Sequence, residues 1–238
     1  MKGALHNKVV IITGASSGIG AATAVRVAQE GAAVVITARN LKGLDAVAQT
    51  IRKAKGNVMS IKVDVCSEND IKDMISIVKN KLGRIDAIVN NAGVFYTGAV
   101  DEIETDKLDE MLTVNLRGLY LCCKYAAKVM KRQKYGHIIN ISSLNGRLGK
   151  PERSAYAASK FGVTGISESI AEELKPFKIK VSLICPGAVE TPMHFKRKTR
   201  AELARMLKPE DVAELIMLML KMPPRANITE AHLRPVFY

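Results

Sequence analysis

Short apolar runs alternate along the chain with longer stretches in which hydrophobic residues recur at helical spacing. Runs such as VVII and HIINI are apolar at consecutive positions, which is typical of strands covered by helices on both faces. The alternation predicts a mostly parallel sheet with connecting helices. The predicted strands are Lys8–Thr13, Ala33–Ala38, Val58–Val63, Ile85–Asn90, Gly136–Ser142 and Lys180–Ile184. The predicted helices are Ile19–Glu30, Leu41–Ala54, Glu68–Lys81, Thr105–Lys131, Arg153–Leu174 and Pro209–Leu220.

The long predicted helix at 105–131 contains two poor helix formers, Asn115 and Gly118. They indicate either a local distortion with a purpose or an ordinary tolerated defect. No linker, repeat or low-complexity segment interrupts the pattern. We therefore expect residues 1–238 to form a single α/β domain, a Rossmann-like doubly wound parallel sheet with helices on both faces.

Composition excludes several classes of protein. Of the 238 residues, 47% are hydrophobic and 25% charged, as in ordinary soluble globular domains. No apolar run approaches the roughly 20 residues that cross a bilayer, and the run Val9–Ile12 is too short for a signal peptide, so we expect a cytoplasmic protein without membrane partners. The four cysteines lack CxxC spacing and the four histidines are scattered, so no metal site is predicted.

The formal net charge of +13 is the unusual feature of the composition. A basic surface attracts nucleic acid, but it equally attracts an anionic cofactor or substrate. The charges are spread along the chain, aromatic residues amount to only 5%, and no nucleic-acid-binding motif is present. Nucleic-acid binding is therefore not expected as the primary role.

Directly after the first predicted strand comes TGASSGIG, which leads into a helix. Glycines in such a turn let the backbone approach a pyrophosphate, which then lies at the positive end of the helix dipole. The second strand ends in ITARN, where a carboxylate that would bind a ribose 2′-hydroxyl is replaced by Ala38 and Arg39. A guanidinium suits a 2′-phosphate, so NADP(H) is expected in preference to NAD(H), although Arg39 is otherwise an ordinary solvated arginine at a strand end.

Tyr156 and Lys160 are separated by one helical turn and follow Ser143 by thirteen residues or more. A YxxxK pair alone is equally typical of an ordinary helix surface. The joint order of TGxxxGIG at 13–20, NNAG at 90–93, Asn115, Ser143 and YxxxK at 156–160 is more specific. With these motifs the chain resembles the short-chain dehydrogenase/reductase superfamily from about Lys8 to Pro192.

The resemblance implies a catalytic tetrad. Tyr156 would be the general acid in ketone reduction and the base in alcohol oxidation, with its pKa lowered from about 10 by the Lys160 ammonium. Lys160 would also bind the nicotinamide ribose, Ser143 would donate a hydrogen bond to the substrate oxygen, and Asn115 would hold a water of the proton relay. Ser142 is then a bystander.

The resemblance also implies a set of cofactor contacts. Asp64 resembles the acid that contacts adenine, but it is equally read as a strand-end cap. Thr191 resembles the carboxamide contact, but it is equally read as a turn residue before Pro192. The implied cofactor-binding residues are Gly14, Ser16, Ser17, Gly18, Ile19, Gly20, Arg39, Asp64, Val65, Asn91, Ala92, Gly93, Tyr156, Lys160, Pro186, Gly187, Val189 and Thr191.

The C-terminus departs from the family pattern. Many members end in a glycine-rich TGxxxxVDGG segment, whereas this chain ends in NITEAHLRPVFY. The departure puts the last strand, and subunit contacts made by it, in doubt. Family members commonly pair through two long helices, here about 105–131 and 153–174, so a homodimer or homotetramer is expected.

Substrate choice is expected from loops beyond the strand ends, namely 144–153, 94–97 and the substrate loop at about 191–208. The last loop carries a basic cluster. Either the cluster attracts an anionic substrate or carrier, or it is a solvated helix face. Its members are Lys196, Arg197, Lys198 and Arg200.

The favoured interpretation is an NADP(H)-dependent enzyme that reduces a carbonyl compound or oxidises an alcohol or hydroxy acid. A second enzyme hypothesis is a 3-oxoacyl-(acyl carrier protein) reductase, which the basic loop alone favours. A hypothesis from a different class of protein is a dinucleotide sensor that catalyses no reaction. The complete set of Asn115, Ser143, Tyr156 and Lys160 argues against the sensor, because a sensor needs no proton donor.

Overall fold

The computed structural model describes residues 3–195 and 199–236. Within these ranges, seven strands form one parallel sheet in the order β3-β2-β1-β4-β5-β6-β7. The strands are β1 Val9–Thr13, β2 Ala33–Ala38, β3 Asn57–Lys62, β4 Ala87–Asn90, β5 Gly136–Ile141, β6 Ile179–Pro186 and β7 Glu230–Leu233. The predicted doubly wound α/β fold is confirmed, and the six predicted strands are present with small shifts at their ends.

Helices connect the strands and cover both faces of the sheet. They are α1 Gly18–Gln29, α2 Leu41–Lys53, α3 Glu68–Leu82, α4 Thr105–Met111, α5 Leu119–Gln133, α6 Ser154–Leu174, α7 Pro192–Phe195, α8 Arg200–Ala204 and α9 Pro209–Lys221. In the described part of the chain, no helix combines the length and the hydrophobicity needed to span a membrane.

The side chains of β1 show why the strand is continuously apolar. Val10 and Ile12 belong to the core on one side of the sheet, whereas Val9 and Ile11 belong to the core on the other. Since successive side chains of a strand point to opposite faces, a strand between two helical layers needs apolar residues at every position.

The strand order reverses between β1 and its neighbour β4. In open α/β sheets of this kind, ligands bind in the crevice outside the carboxyl ends of the strands at the reversal point. The crevice here lies above the ends of β1 and β4, where the glycine-rich turn and the NNAG segment meet.

The long predicted helix at 105–131 has a distortion in its middle. Residues Leu112–Gly118 form a π-helical segment between α4 and α5. A Cβ atom on Gly118 would lie 2.9 Å from the carbonyl oxygen of Val65, so glycine lets this segment pack directly on the chain after β3. The distortion predicted from Asn115 and Gly118 is therefore present, and close backbone packing accounts for the glycine at its end.

The chain ends in a strand despite its departure from the family pattern. β7 pairs with β6 in parallel, with Leu183 opposite Glu230 and Pro186 opposite Leu233. The doubt about a last strand was therefore unfounded. The sequence EAHL gives a weak strand signal, and the exposed edge of β6 supplies the hydrogen-bonding partner that the sequence alone does not reveal.

Of the basic cluster predicted in the substrate loop, Lys196, Arg197 and Lys198 lie outside the described residues. Arg200 is exposed at the start of α8. A backbone bridge between Val189 and Leu207 joins the two ends of this loop. The loop is thus anchored at its base next to the carboxyl end of β6.

Candidate active site

The glycine-rich turn between β1 and α1 depends on glycine at two positions. Gly14 and Gly18 have φ angles of 65° and 56°, in the left-handed region that disfavours other residues. A Cβ on Gly14 would lie 2.7 Å from the Cα of Ala92, and one on Gly18 would lie 3.0 Å from Thr191. Ser17 makes no side-chain cap on α1, so the first N–H groups of the helix remain available to an anion.

Asn91 holds this turn against β4. Its Nδ2 atom donates hydrogen bonds to the carbonyl oxygens of Thr13, at 3.0 Å, and Gly14, at 3.1 Å. In return, the Thr13 hydroxyl accepts the backbone N–H groups of Asn91 and Ala92 at 3.0 and 3.1 Å. Gly20 lies beneath the turn, where a Cβ would be 2.5 Å from the Gly14 carbonyl oxygen.

Arg39 and Asp64 lie at the opposite end of the cleft from Tyr156. Arg39 is exposed at the end of β2 and lines the cleft beside Asn40, whose side chain caps α2. Asp64 also lines the cleft, while its Oδ1 atom accepts the backbone N–H of Cys66 at 3.0 Å. The cap interpretation of Asp64 is therefore correct, and its position on the cleft remains compatible with an adenine contact.

Asn115 lies behind the wall of the cleft and is fully buried in the π-helical segment. Its Oδ1 accepts the Val94 N–H at 2.8 Å, and its Nδ2 donates to the Val94 carbonyl at 2.9 Å and to the Ser159 hydroxyl at 3.1 Å. The side chain thus fixes the segment after NNAG. Because these bonds use both amide hydrogens, a water at Asn115 would have to donate to an oxygen of this residue.

Ser143, Tyr156 and Lys160 converge on the cleft, although they come from the end of β5 and from α6. The Ser143 Oγ accepts the N–H of Asn145 at 3.1 Å, which leaves the hydroxyl hydrogen free to donate elsewhere. The Lys160 Nζ lies 5.9 Å from the centroid of the Tyr156 ring and donates to the Ile141 carbonyl at 2.9 Å. The Phe95 ring meets the Tyr156 ring edge-on, with centroids 4.6 Å apart.

The electrostatics of the pair differ from the sequence-based expectation. Burial raises the pKa of Tyr156 to about 12, although a hydrogen bond with Ser143 and the charge of Arg153 act in the opposite direction. Burial lowers the pKa of Lys160 to about 8. The lowering expected from Lys160 is not seen, because desolvation of the phenolate outweighs the opposing effects of Ser143 and Arg153. The phenol is protonated at neutral pH.

Most of the predicted contact residues line one cleft of about 330 Å³. Gly20 and Asn115 support the cleft from below and do not line it. The predicted residues that line it are Gly14, Ser16, Ser17, Gly18, Ile19, Arg39, Asp64, Val65, Asn91, Ala92, Gly93, Ser143, Tyr156, Lys160, Pro186, Gly187, Val189 and Thr191.

Ten further lining residues among those described were not named as individual contacts by sequence reasoning, although Val94, Pro192 and Met193 lie in the loops predicted for substrate choice. The ten are Thr37, Ala38, Asn40, Val63, Val94, Val114, Ile141, Ser142, Pro192 and Met193. Most of them are next to a predicted contact residue in the sequence. Their position near the ends of strands could therefore have identified them as lining residues. Val114 comes from the π-helical segment, and no sequence pattern predicts that this residue lines the cleft.

The fold also joins three potential metal ligands that are scattered in sequence. Ligand atoms of Cys185, Glu230 and His232 lie within 4.8 Å of one another. Arg147 already donates to both oxygens of Glu230, at 3.0 and 2.6 Å. These contacts account for the cluster as an ion-pair network that attaches β7 to the loop after Ser143.

Comparison with known proteins identifies the family. The model of the short chain dehydrogenase family matches residues 8–202. A 3-oxoacyl-(acyl-carrier-protein) reductase from Thermotoga maritima is 37% identical over 223 residues, covering 90% of this chain and 91% of the relative. A protein of the same description from Synechocystis is 35% identical, covering 95% and 94%.

Solved structures give the same result. A metagenomic short-chain oxidoreductase in complex with NADP has a TM-score of 0.87 at 35% identity, covering 99% of this chain and 100% of that one. Levodione reductase has a TM-score of 0.89 at 28% identity, covering 98% and 97%. Together with the family match and the cleft geometry, these similarities show that the chain is an oxidoreductase of the short-chain dehydrogenase/reductase family.

Proposed function

We propose that this protein is an NADP(H)-dependent oxidoreductase that interconverts a carbonyl compound and an alcohol. The observation that carries the proposal is the convergence of Ser143, Tyr156 and Lys160 on the cleft that begins at the glycine-rich turn. A proton donor, a hydrogen-bond donor and a cation at one end of a phosphate-binding cleft are the groups that carbonyl reduction requires.

The residues of the cleft fit a dinucleotide. Gly14 and Gly18 leave the space that a Cβ would fill, and the uncapped start of α1 offers N–H groups to a pyrophosphate. When bound, the nicotinamide supplies or accepts the hydride. Lys160 lines the same cleft and would hold ribose hydroxyls and add positive charge beside the phenol.

Tyr156 acts as the proton donor in the reducing direction. Its raised pKa keeps the phenol protonated at neutral pH, which suits proton donation to a carbonyl oxygen. Ser143 donates a second hydrogen bond to the same oxygen as negative charge develops there. In the oxidising direction the phenol must lose its proton, and a nearby positive charge on Lys160 or the oxidised cofactor favours that loss.

NADP(H) is proposed in preference to NAD(H) because Arg39 lines the cleft where an acid would otherwise bind the ribose. Among the described residues, Arg39 forms no ion pair. Its charge is thus available to a 2′-phosphate. The structural relative in complex with NADP supports the same preference.

A second candidate is the reduction of 3-oxoacyl groups on an acyl carrier protein. Two relatives that are 37% and 35% identical carry that description. The basic residues at 196–200 would meet an acidic carrier, and the loop at 191–208 would then serve as the substrate loop. A third possibility is a protein that binds the dinucleotide as a sensor and catalyses no reaction. The experiment must also exclude this possibility.

The test is a panel of carbonyl compounds and 3-oxoacyl thioesters with NADPH, followed at 340 nm, in the wild type and in Tyr156→Phe. Loss of the general acid is expected to lower kcat by about 10²–10⁴-fold. NADPH affinity should change little, because the variant loses only a hydroxyl. Equal slow rates in both proteins across the panel would indicate a sensor, and turnover confined to the thioesters would favour the second candidate.

A further inference from the structure

Arg153 lies beside both substrate-facing hydroxyls of the cleft. It is the residue before α6, three positions before Tyr156. Its Nη1 atom donates to the Asn145 Oδ1 at 3.1 Å, and the backbone N–H of Asn145 donates to the Ser143 Oγ at 3.1 Å. One residue therefore separates the guanidinium from Ser143, and less than a helical turn separates it from Tyr156.

An aromatic ring connects the guanidinium to Tyr156. The Arg153 Cζ lies 5.5 Å from the centroid of Phe95, whose ring meets Tyr156 edge-on at 4.6 Å and 74°. The Gly98 N–H donates to the Glu152 carbonyl at 3.0 Å, which joins the loop after β4 to the loop before α6. Guanidinium, aromatic ring and phenol thus form a chain of contacts that ends at Tyr156, which lines the cleft.

No carboxylate of the described residues pairs with Arg153, whose hydrogen-bonding partner there is the neutral amide of Asn145. Arg147, in the same loop, contrasts with it by pairing with Glu168 and Glu230, each at 2.6 Å. A guanidinium has five N–H donors, so Arg153 retains several for a planar anion.

The start of α6 adds to the positive potential. Its first turn contains no acidic residue, and the side chain of its N-cap residue, Arg153, makes no capping hydrogen bond to the helix. The positive end of a 21-residue helix therefore lies next to the guanidinium. The charge of Arg153 also reaches Tyr156, where it favours the phenolate.

We propose that Arg153 binds a carboxylate of the substrate, so that the preferred substrates are short oxo acids and the corresponding hydroxy acids. The carbonyl oxygen would lie between Ser143 and Tyr156, and the carboxylate would accept hydrogen bonds from the free guanidinium donors. The inference rests on the proposed function of the same cleft and adds the class of substrate to it.

A purely structural role for Arg153 makes different predictions. If the arginine served only to position Ser143 through Asn145, its replacement would lower kcat for every substrate alike. If it binds a carboxylate, replacement raises KM for acids and leaves their neutral esters unaffected. The comparison of each acid with its methyl ester separates the two roles.

The experiment uses pyruvate, 3-oxobutanoate and 4-oxopentanoate, each with its methyl ester, and NADPH. Arg153→Gln keeps a donor for Asn145 and removes the charge, whereas Arg153→Lys keeps the charge. We expect Arg153→Gln to lower kcat/KM for the preferred acid by roughly 10- to 100-fold, as for the loss of a charge-assisted hydrogen bond. Its effect on the ester should stay within about 2-fold, and Arg153→Lys should restore part of the loss for the acid.

Arg225→Gln is the matched control, because it removes an exposed arginine charge outside the loops expected to choose the substrate. It should leave both acid and ester kinetics unchanged. The proposal is overturned if the wild type prefers no acid to its ester, or if Arg153→Gln lowers kcat equally for both. Turnover of esters without a preference for acids would refute this inference and preserve the proposed function.

A binding measurement covers the case of no turnover. Calorimetric titration of the NADPH complex with the same acids should show binding to the wild type. Arg153→Gln should abolish that binding. Such binding without turnover of any acid or ester would support the carboxylate site and contradict the proposed carbonyl reduction. Absence of both binding and turnover would overturn the inference.

Discussion

Lys160 is a buried cation whose protonation is linked to stability. Burial lowers its pKa from 10.5 to about 8. Between these two values the unfolded chain binds more protons than the folded one, so stability rises as the pH increases through this window. Below pH 8 the cost of burying the ammonium is fully present.

Lys160→Met should remove this dependence on pH. We expect the free energy of unfolding of the wild type to increase between pH 7 and pH 10 by roughly 2 kcal/mol more than that of the variant. Urea unfolding of both proteins without cofactor at the two pH values measures the difference. If the free energy of unfolding changed equally with pH in both proteins, burial would not depress the pKa of Lys160.

Arg39 is the residue on which the proposed preference for NADP(H) depends. Arg39→Gln should raise the Kd for NADPH by roughly 10- to 100-fold, because a charge-assisted hydrogen bond to the 2′-phosphate is lost. The Kd for NADH should change by less than about 3-fold, since NADH lacks that phosphate. Fluorescence titration of both cofactors checks this, with the exposed Arg52→Gln as the control. Equal weakening of both cofactors would contradict the 2′-phosphate role.

The π-helical segment Leu112–Gly118 shows how one element shapes the cleft. It carries Asn115, which fixes Val94 through two hydrogen bonds, and Val114, which lines the cleft. Gly118 lets the segment approach Val65, another lining residue. The distortion thus couples the middle of a long helix to both ends of the site.

Gly118→Ala should therefore destabilise the protein by about 1–3 kcal/mol through overpacking against the Val65 backbone. It should also weaken NADPH binding, since Val65 lines the cleft. Gly165→Ala in α6 is the matched control, because no atom lies within 4 Å of its Cβ position. That change should stabilise the helix by about 0.5–1 kcal/mol. Equal unfolding free energies for the two variants would refute close packing at Gly118.

Two adjoining helices expose large hydrophobic side chains to solvent in the single chain. Tyr120 on α5 is 49% exposed and Phe161 on α6 is 47% exposed. Exposed apolar groups on neighbouring elements are typical of protein interfaces. We propose that the chain forms a homodimer or homotetramer through these helices.

A double variant, Tyr120→Glu with Phe161→Glu, is expected to shift the protein towards the monomer, because buried unpaired charges oppose association. Light scattering coupled to size-exclusion chromatography measures the mass. Gln49→Glu adds one such negative charge at an exposed position of α2 and should leave the mass unchanged. An unchanged assembly in the double variant would exclude this interface.

The sequence by itself determined the fold, because consecutive apolar runs and glycine-rich turns constrain strands and crossings locally. It also marked the candidate site, since Gly14, Ser143, Tyr156 and Lys160 follow strands that end at one crevice. Local signals were weaker at β7, whose strand depends on the open edge of β6.

Only the tertiary structure decided the environment of these residues. Burial sets the pKa values of Tyr156 and Lys160, and burial depends on the packing of distant segments rather than on neighbours in sequence. The contact of Arg153 with Asn145 and Phe95 likewise requires three loops to meet. Electrostatic interactions act through space, so a pattern along the chain reveals which groups are present but not the dielectric surroundings in which they act.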